Sequence, residues 1–156
     1  MGLPSVSTNS TATRVEENTA PEIGEAIQHA TEANLARAAI DPDGIERRLR
    51  ELDEEWDIER ALQTNFSVVN LLTVLLGTLA ARPWFLLTGV AAGFMANHAL
   101  KGWCPPVPVL RRLGFRTARE ISQERYALKA LRGDFQDVSL QDPRKAFEAA
   151  ANRPTR

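Results

Sequence analysis

Apolar residues are concentrated in two adjacent segments near the middle of the chain, residues 66–81 and 84–100. From the start of the first segment to the end of the second, Arg82 is the one formally charged residue. A membrane-spanning helix needs about 20 mainly apolar residues, with roughly 17 as a lower limit, so both segments are short but adequate. Arg82-Pro83 leaves room only for a tight turn, because proline ends the preceding helix. The pattern therefore predicts a transmembrane helical hairpin.

The polar stretch before these segments predicts two helices. Thr19-Ala20-Pro21-Glu22 has the form of a helix start, and the first helix should end at about Ala39. Asp41-Pro42-Asp43-Gly44 interrupts it, and a second helix should run to about Gln63. Apolar residues recur in the second helix at steps of four and three: Ile45, Leu49, Leu52 and Trp56. Such a stripe is typical of an amphipathic helix that packs on neighbours or lies at a membrane surface.

The chain after the apolar segments begins with a proline-rich stretch. Cys104-Pro105-Pro106-Val107-Pro108 should be extended rather than helical. A helix should follow from Thr117 to about Arg132, with Ile121, Leu128 and Leu131 near one side, and Gly133 should end it. Asp142-Pro143 should start a short last helix that reaches about Ala151.

These elements predict an all-α fold, in which a two-helix transmembrane hairpin has amphipathic cytoplasmic helices before and after it. The expected segments are a disordered tail (1–18), an acidic helical arm (19–63), the hairpin (64–103), a basic juxtamembrane segment and helix (104–135), and a short C-terminal helix and tail (136–156). A buried hairpin in a soluble protein is the weaker alternative, because the polar arms supply too little apolar surface to cover it.

Charge is sorted along the chain, although the net charge is only −1. Residues 1–65 contain fourteen acidic and six basic residues, whereas residues 101–132 contain eight basic and two acidic residues. Three interpretations stay open: the acidic and basic arms bind each other, the basic arm binds anionic lipid, or both are solvated helices with unrelated charges.

The residues flanking the hairpin predict its orientation and its anchors. Basic residues are frequent before and after the hairpin but reduced to Arg82 in its turn, so both termini should be cytoplasmic. Tryptophan and basic side chains belong at the membrane interface, where we expect Arg60, Arg82, Trp84, Lys101 and Trp103. No signal peptide is expected, because the N-terminus lacks a basic region followed by an apolar core.

Small residues line one side of each apolar segment. Gly89 and Gly93 stand one turn apart, and Ala96 extends their face; Gly77 lies on a small, weakly polar face of the first segment. Small residues allow helix backbones to approach closely in lipid. These faces should serve either the hairpin itself or a homodimer.

Few side chains offer chemistry. Cys104, the single cysteine, is a candidate for sulfur transfer, redox chemistry or acylation at a water-accessible position near Lys101, or else a packing residue. His98 has no metal-ligand partner at helical spacing and is best explained as a structural residue. No catalytic set, phosphate loop or cysteine cluster can be assembled, so we expect no enzyme, no metal, no cofactor and no nucleic-acid partner.

The exit from the hairpin resembles a known family. Glu59-Arg60 before the two apolar segments, and Gly102-Trp103-Cys104-Pro105 after them, are similar to the YgaP-like inner-membrane domain family, whose function is unknown. The resemblance covers residues 58–116 and implies a dimer built on the spans. Members can be fused to a rhodanese domain, but this chain has neither that domain nor a second cysteine, so sulfurtransferase activity does not carry over.

The sequence thus favours a non-enzymatic, multi-pass protein of the bacterial inner membrane. Its hairpin would anchor and dimerise it, and its cytoplasmic arms would bind the lipid surface or an unidentified cytoplasmic or membrane protein. The alternative is an accessory factor of sulfur or redox metabolism that acts through Cys104.

Overall fold

The computed structural model describes residues 12–140 and 142–151. Over these residues it is helical and has no strand, which confirms the all-α prediction. A short 3₁₀ turn at Glu16–Asn18 precedes the helices. The helices are α1 (Pro21–Ile40), α2 (Pro42–Glu54), α3 (Ile58–Leu79), α4 (Trp84–Lys101), α5 (Pro106–Arg112), α6 (Ala118–Arg132) and α7 (Pro143–Ala151).

The chain forms two compact units, and each is built from two separate stretches of sequence. The first unit combines residues 12–24 with Trp56–Thr117, and therefore contains α3, α4 and α5. The second unit combines Glu25–Glu55 with the described residues from Ala118 onward, and contains α2, α6 and α7. Helix α1 belongs to both units, because the boundary at Gly24 falls near its start.

The break between α2 and α3 lies earlier than the sequence suggested. We expected one helix to run to about Gln63, but α2 ends at Glu54 and α3 begins at Ile58. The carboxylate of Asp57 accepts a hydrogen bond from the backbone N–H of Arg60 at 2.7 Å, which caps the new helix. Helix α3 then continues without interruption through the first apolar segment to Leu79.

Helices α3 and α4 are joined by a four-residue turn and pack against each other. Gly77 lies under the ring of Phe85, because a Cβ atom at this glycine would lie 2.9 Å from two ring carbons. The buried hydroxyl of Thr73 shares a hydrogen bond of 2.7 Å with the hydroxyl of Thr88. The contact between the two helices therefore combines a close approach at a glycine with a polar pair.

The proline-rich exit is helical, so the expectation of an extended segment was wrong. Helix α5 starts at Pro106, and its cap is Pro105. The first turn of a helix has backbone N–H groups without intrahelical partners, so prolines placed there lose no hydrogen bond. Pro105, Pro106 and Pro108 all occupy this tolerated region.

The core of the first unit joins the N-terminal segment, residues 12–20, to α3 and α5. Val15, Ile58, Leu62, Cys104 and Val107 are buried together. The N-terminal tail was expected to be disordered up to residue 18, and this is wrong for residues 12–18, since Val15 is a core residue. Residues 1–11 lie outside the described residues.

The core of the second unit lies between α2 and α6. It consists of Ala38, Leu49, Leu52, Ile121 and Leu128. The apolar stripes that we expected on α2 and α6 are therefore buried at their centres. Their last predicted members, Trp56 and Leu131, are exposed. Helix α6 ends before Gly133, as predicted, and this glycine has a φ of 91° that suits a helix stop.

Candidate functional site

The most unusual surface of the first unit is the apolar exterior of α3 and α4. Large apolar side chains are exposed along the length of both helices: Val68, Leu71, Leu72, Leu75, Leu79, Phe85, Leu86, Leu87, Val90 and Phe94. Leu71, in the middle of α3, is 62% exposed. Contiguous apolar surface of this kind is rare on soluble monomers and marks contact with protein or membrane.

By length and composition, one helical stretch among the described residues could cross a membrane. It is the 37-residue stretch Asp43–Leu79, which includes α2, the break at residues 55–57 and α3, and has its apolar part in α3. In the most apolar part of this stretch, 17% is buried. Helix α4 does not meet the same test of length and composition, and it ends on the polar residues Asn97, His98 and Lys101.

The small residues predicted to pack helices divide into two groups. Gly77 is buried at the contact between α3 and α4. Gly89 and Gly93 are exposed, and a Cβ atom at either position would meet nothing within 4 Å. Ala96 is exposed as well. The contact between α3 and α4 therefore uses Gly77, and the face formed by Gly89, Gly93 and Ala96 lies outside that contact.

The predicted anchors are exposed at the two ends of the helix pair. Arg82 and Trp84 lie at the turn between α3 and α4. Lys101 and Trp103 lie at the opposite end, where α4 finishes. Arg60, in the first turn of α3, places its guanidinium 4.2 Å from the ring centroid of Trp56. Such a cation–π contact holds the charged group beside an aromatic ring.

A polar cluster that the sequence did not predict joins the start of α3 to the end of α4. The Nε2 atom of His98 lies 2.9 Å from the Glu59 carboxylate. The histidine is 2% exposed, and its Nδ1 has no hydrogen-bond partner in the described part of the chain. Nε2 is therefore the nitrogen that donates to the carboxylate. Arg14 donates to the other carboxylate oxygen at 3.2 Å, so three segments meet at Glu59.

These contacts favour the ionised form of the Glu59 carboxyl group. The hydrogen bond from His98 lowers the pKa of Glu59 most, burial opposes it, and the charges of His98 and Arg14 add to the lowering. Glu59 stands 39 positions from His98 in the sequence, so no periodic pattern could have revealed the pair.

The N-terminal segment lies against the end of α4. Gly102 ends α4 with a φ of 74°, and a Cβ atom there would lie 2.4 Å from the carbonyl oxygen of Arg14. Asn18 donates to the carbonyl oxygens of Arg14 and Lys101, at 2.7 and 2.8 Å. Glycine at position 102 thus serves both the helix end and the close approach of another backbone.

The structure buries the Cys104 thiol that we expected to be accessible to water. Cys104 is 4% exposed and packs with Ile58, Leu62 and Val107. Burial raises the pKa of the thiol; the backbone of Val107 partly opposes this rise, and the charge of Glu59 adds to it. A protonated, buried thiol is a poor nucleophile, so the site lacks the surroundings typical of a reactive cysteine.

In the second unit, the acidic and basic arms meet. Arg48 of α2 donates to the fully buried carboxylate of Glu124 in α6 at 2.7 Å. Further ion pairs between these helices join Arg125 to Asp53 and Arg132 to Glu46. Of the three interpretations of the charge pattern, mutual binding of the arms therefore describes the contact between α2 and α6.

The described residues contain no group of three or more His, Cys, Asp or Glu side chains that could hold a metal ion. Comparisons of the chain with protein-family models, curated proteins and solved structures find no match. The candidate site is therefore defined by the surface of the first unit: an apolar exterior on α3 and α4, with polar and aromatic residues at both ends.

Proposed function

We propose that this chain is a non-enzymatic integral membrane protein, in which the apolar parts of α3 (from residue 66) and α4 (up to residue 100) form a transmembrane hairpin. The observation that carries the proposal is the apolar exterior of the two helices. The core helix of a soluble protein is mostly buried, whereas 17% of the most apolar window of Asp43–Leu79 is buried. In a membrane, lipid chains would cover these apolar side chains, so their surface would not be exposed to water.

Further observations support this arrangement. The turn with Arg82 and Trp84, and the opposite end with Lys101 and Trp103, carry the residue types that favour membrane interfaces. Val15, before α3, shares a core with Val107, after α4. Two crossings return the chain to the side from which it started, so this core fits a hairpin with both termini on one side. By the distribution of basic residues, that side is the cytoplasm of a bacterial inner membrane.

The proposed role is anchoring and dimerisation. The exposed face of Gly89, Gly93 and Ala96 is available to a second copy of the chain, because the contact between α3 and α4 does not use it. The second unit would bind the lipid surface or a protein partner. The resemblance to the YgaP-like family stays a prediction. The alternative role through Cys104 gains no support from a buried thiol whose pKa is raised.

Membrane insertion is tested by fractionation and topology mapping. The full chain should stay in the membrane pellet after washing with alkaline carbonate, which strips peripheral proteins. Reporter fusions at both termini should report cytoplasm, and a reporter inserted next to Arg82 should report the opposite side. A matched variant with Leu71→Glu, Leu72→Glu and Leu75→Glu should fail to insert, because each charge at a helix centre costs about 3 kcal/mol. A soluble, monomeric wild-type chain in the absence of detergent would overturn the proposal.

A further inference from the structure

A partly open apolar cavity lies between α3, α4 and the start of α5, at the surface of the first unit. Its volume is about 240 Å³. Its walls come from four residues of α3, three of α4 and three of the exit: Leu62, Asn65, Phe66, Val69, Ala91, Phe94, Met95, Cys104, Pro105 and Pro106. Apart from the Asn65 amide and the Cys104 thiol, the lining side chains are hydrocarbon or thioether groups.

We propose that this cavity holds one hydrocarbon chain of a bilayer lipid. The inference rests on the proposed function, since a membrane is what would bring such a chain to the cavity. It assigns to the first unit a lipid site that adjoins the apolar exterior of α3 and α4 and shares Phe94 with it.

The chemistry of the lining argues for a hydrocarbon occupant rather than water. A buried water needs two to four polar partners, and apolar cavities stay dry without them. Asn65 is exposed and lies at the rim. Phe66, Val69 and Met95 offer none of the strong polar groups that would hold a water molecule or a charged head group.

The size and position of the cavity point to a chain from the bilayer. Pockets for drug-sized molecules occupy about 300–1,000 Å³, so this cavity is too small for most of them and suits part of a flexible chain. It is lined by residues within 62–69 of α3 and within 91–95 of α4. These parts adjoin Lys101 and Trp103, the end of the helix pair that we place at the cytoplasmic interface. Exposed Phe94 and Pro105 form part of the rim and leave a route of entry from the surrounding lipid.

The test uses the full chain in phosphatidylcholine vesicles that contain a probe lipid with a photoreactive diazirine in one acyl chain. After illumination, mass spectrometry compares crosslinks on the cavity walls with crosslinks on exposed positions such as Leu71 and Leu86. Ala91→Leu fills the cavity from α4, and Val69→Phe fills it from α3. Ala99→Leu is the matched control, because Ala99 is exposed and does not line the cavity.

We expect Ala91→Leu and Val69→Phe each to lower the ratio of wall to exposed crosslinks at least threefold, and Ala99→Leu to leave it unchanged. An unchanged ratio in both filled variants, in protein that resists carbonate washing, would overturn this inference alone. A rise in wall crosslinks on deletion of residues 2–11 would also overturn it, because the chain's own N-terminus would then be the occupant. Loss of the wild-type chain on carbonate washing would instead overturn the proposed function.

Discussion

Gly102 shows how one residue can meet two requirements that the sequence reveals only in part. Its position after Lys101 is a recognisable helix-end signal, and the φ of 74° agrees with it. The second requirement is the 2.4 Å approach of the Arg14 carbonyl oxygen to the position of a Cβ atom. That contact joins residues 88 positions apart, so no local pattern in the sequence predicts it.

A comparison of Gly102→Ala with the control variant Gly114→Ala distinguishes the backbone requirement from the contact with Arg14. Both glycines have positive φ values, but a Cβ atom at Gly114 would meet nothing within 4 Å. Gly114→Ala should therefore cost only the left-handed backbone strain of roughly 1–2 kcal/mol. Gly102→Ala should add displacement of the N-terminal segment, seen as faster amide hydrogen exchange in residues 12–20. Equal exchange in the two variants would contradict the contact with Arg14.

At the scale of helices, the sequence predicted which segments are helical better than it predicted where each helix begins and ends. Hydrophobic periodicity identified the buried centres of α2 and α6, and proline and glycine located the ends of α4 and α6. The break between α2 and α3 was missed because Trp56 continues the apolar stripe past the true helix end at Glu54. The helix at Pro106–Arg112 was missed because several prolines together suggest extended chain, although each lies in the tolerant first turn.

The contact between Glu59 on α3 and His98 on α4 should make the first unit sensitive to acid. The pKa of Glu59 is lowered in the folded chain from an ordinary value of about 4.5. A lowered carboxyl pKa stabilises the fold above the unfolded pKa, and this stabilisation is lost as the pH falls through the folded value. Between pH 7 and pH 3, protection factors at the end of α4, which correct amide exchange for its intrinsic pH dependence, should therefore fall below about pH 4.5.

The control for this prediction is a pair of amide variants. Glu59→Gln should raise exchange at the end of α4 at neutral pH and flatten its dependence on acid. The pKa of Asp134 is also lowered, chiefly by its hydrogen bond from Arg132, but Asp134 lies in the second unit. Asp134→Asn should therefore leave the acid response of α4 unchanged. A wild-type acid response that Glu59→Gln preserves would show that other carboxyl groups cause it.

At the scale of the whole molecule, the two units use their charges and apolar groups in opposite ways. The second unit has ion pairs between its helices, with Arg48 on the buried Glu124, and buries the centres of the apolar stripes of α2 and α6. The first unit leaves apolar side chains exposed along α3 and α4. Composition averaged over the chain conceals this difference, whereas the distribution of residues along the chain predicted it.

Assembly of two copies should depend on the exposed small-residue face of α4. Gly89→Leu and Gly93→Leu add bulk where the chain itself has open space, so each variant should insert and fold but crosslink less as a dimer in membranes. Val90→Phe is the control, because Val90 is an exposed position of the same helix outside this face. Wild-type protein that crosslinks only as a monomer would refute the dimer.

The core shared by Val15 and Val107 has a consequence for biosynthesis. A ribosome releases Val15 long before Val107, and α3 and α4 are made in between. The N-terminal segment must therefore wait, unpaired, until the rest of the first unit has been synthesised. If α3 and α4 enter the membrane as proposed, this core closes only after both have crossed, and its closure then opposes withdrawal of either helix.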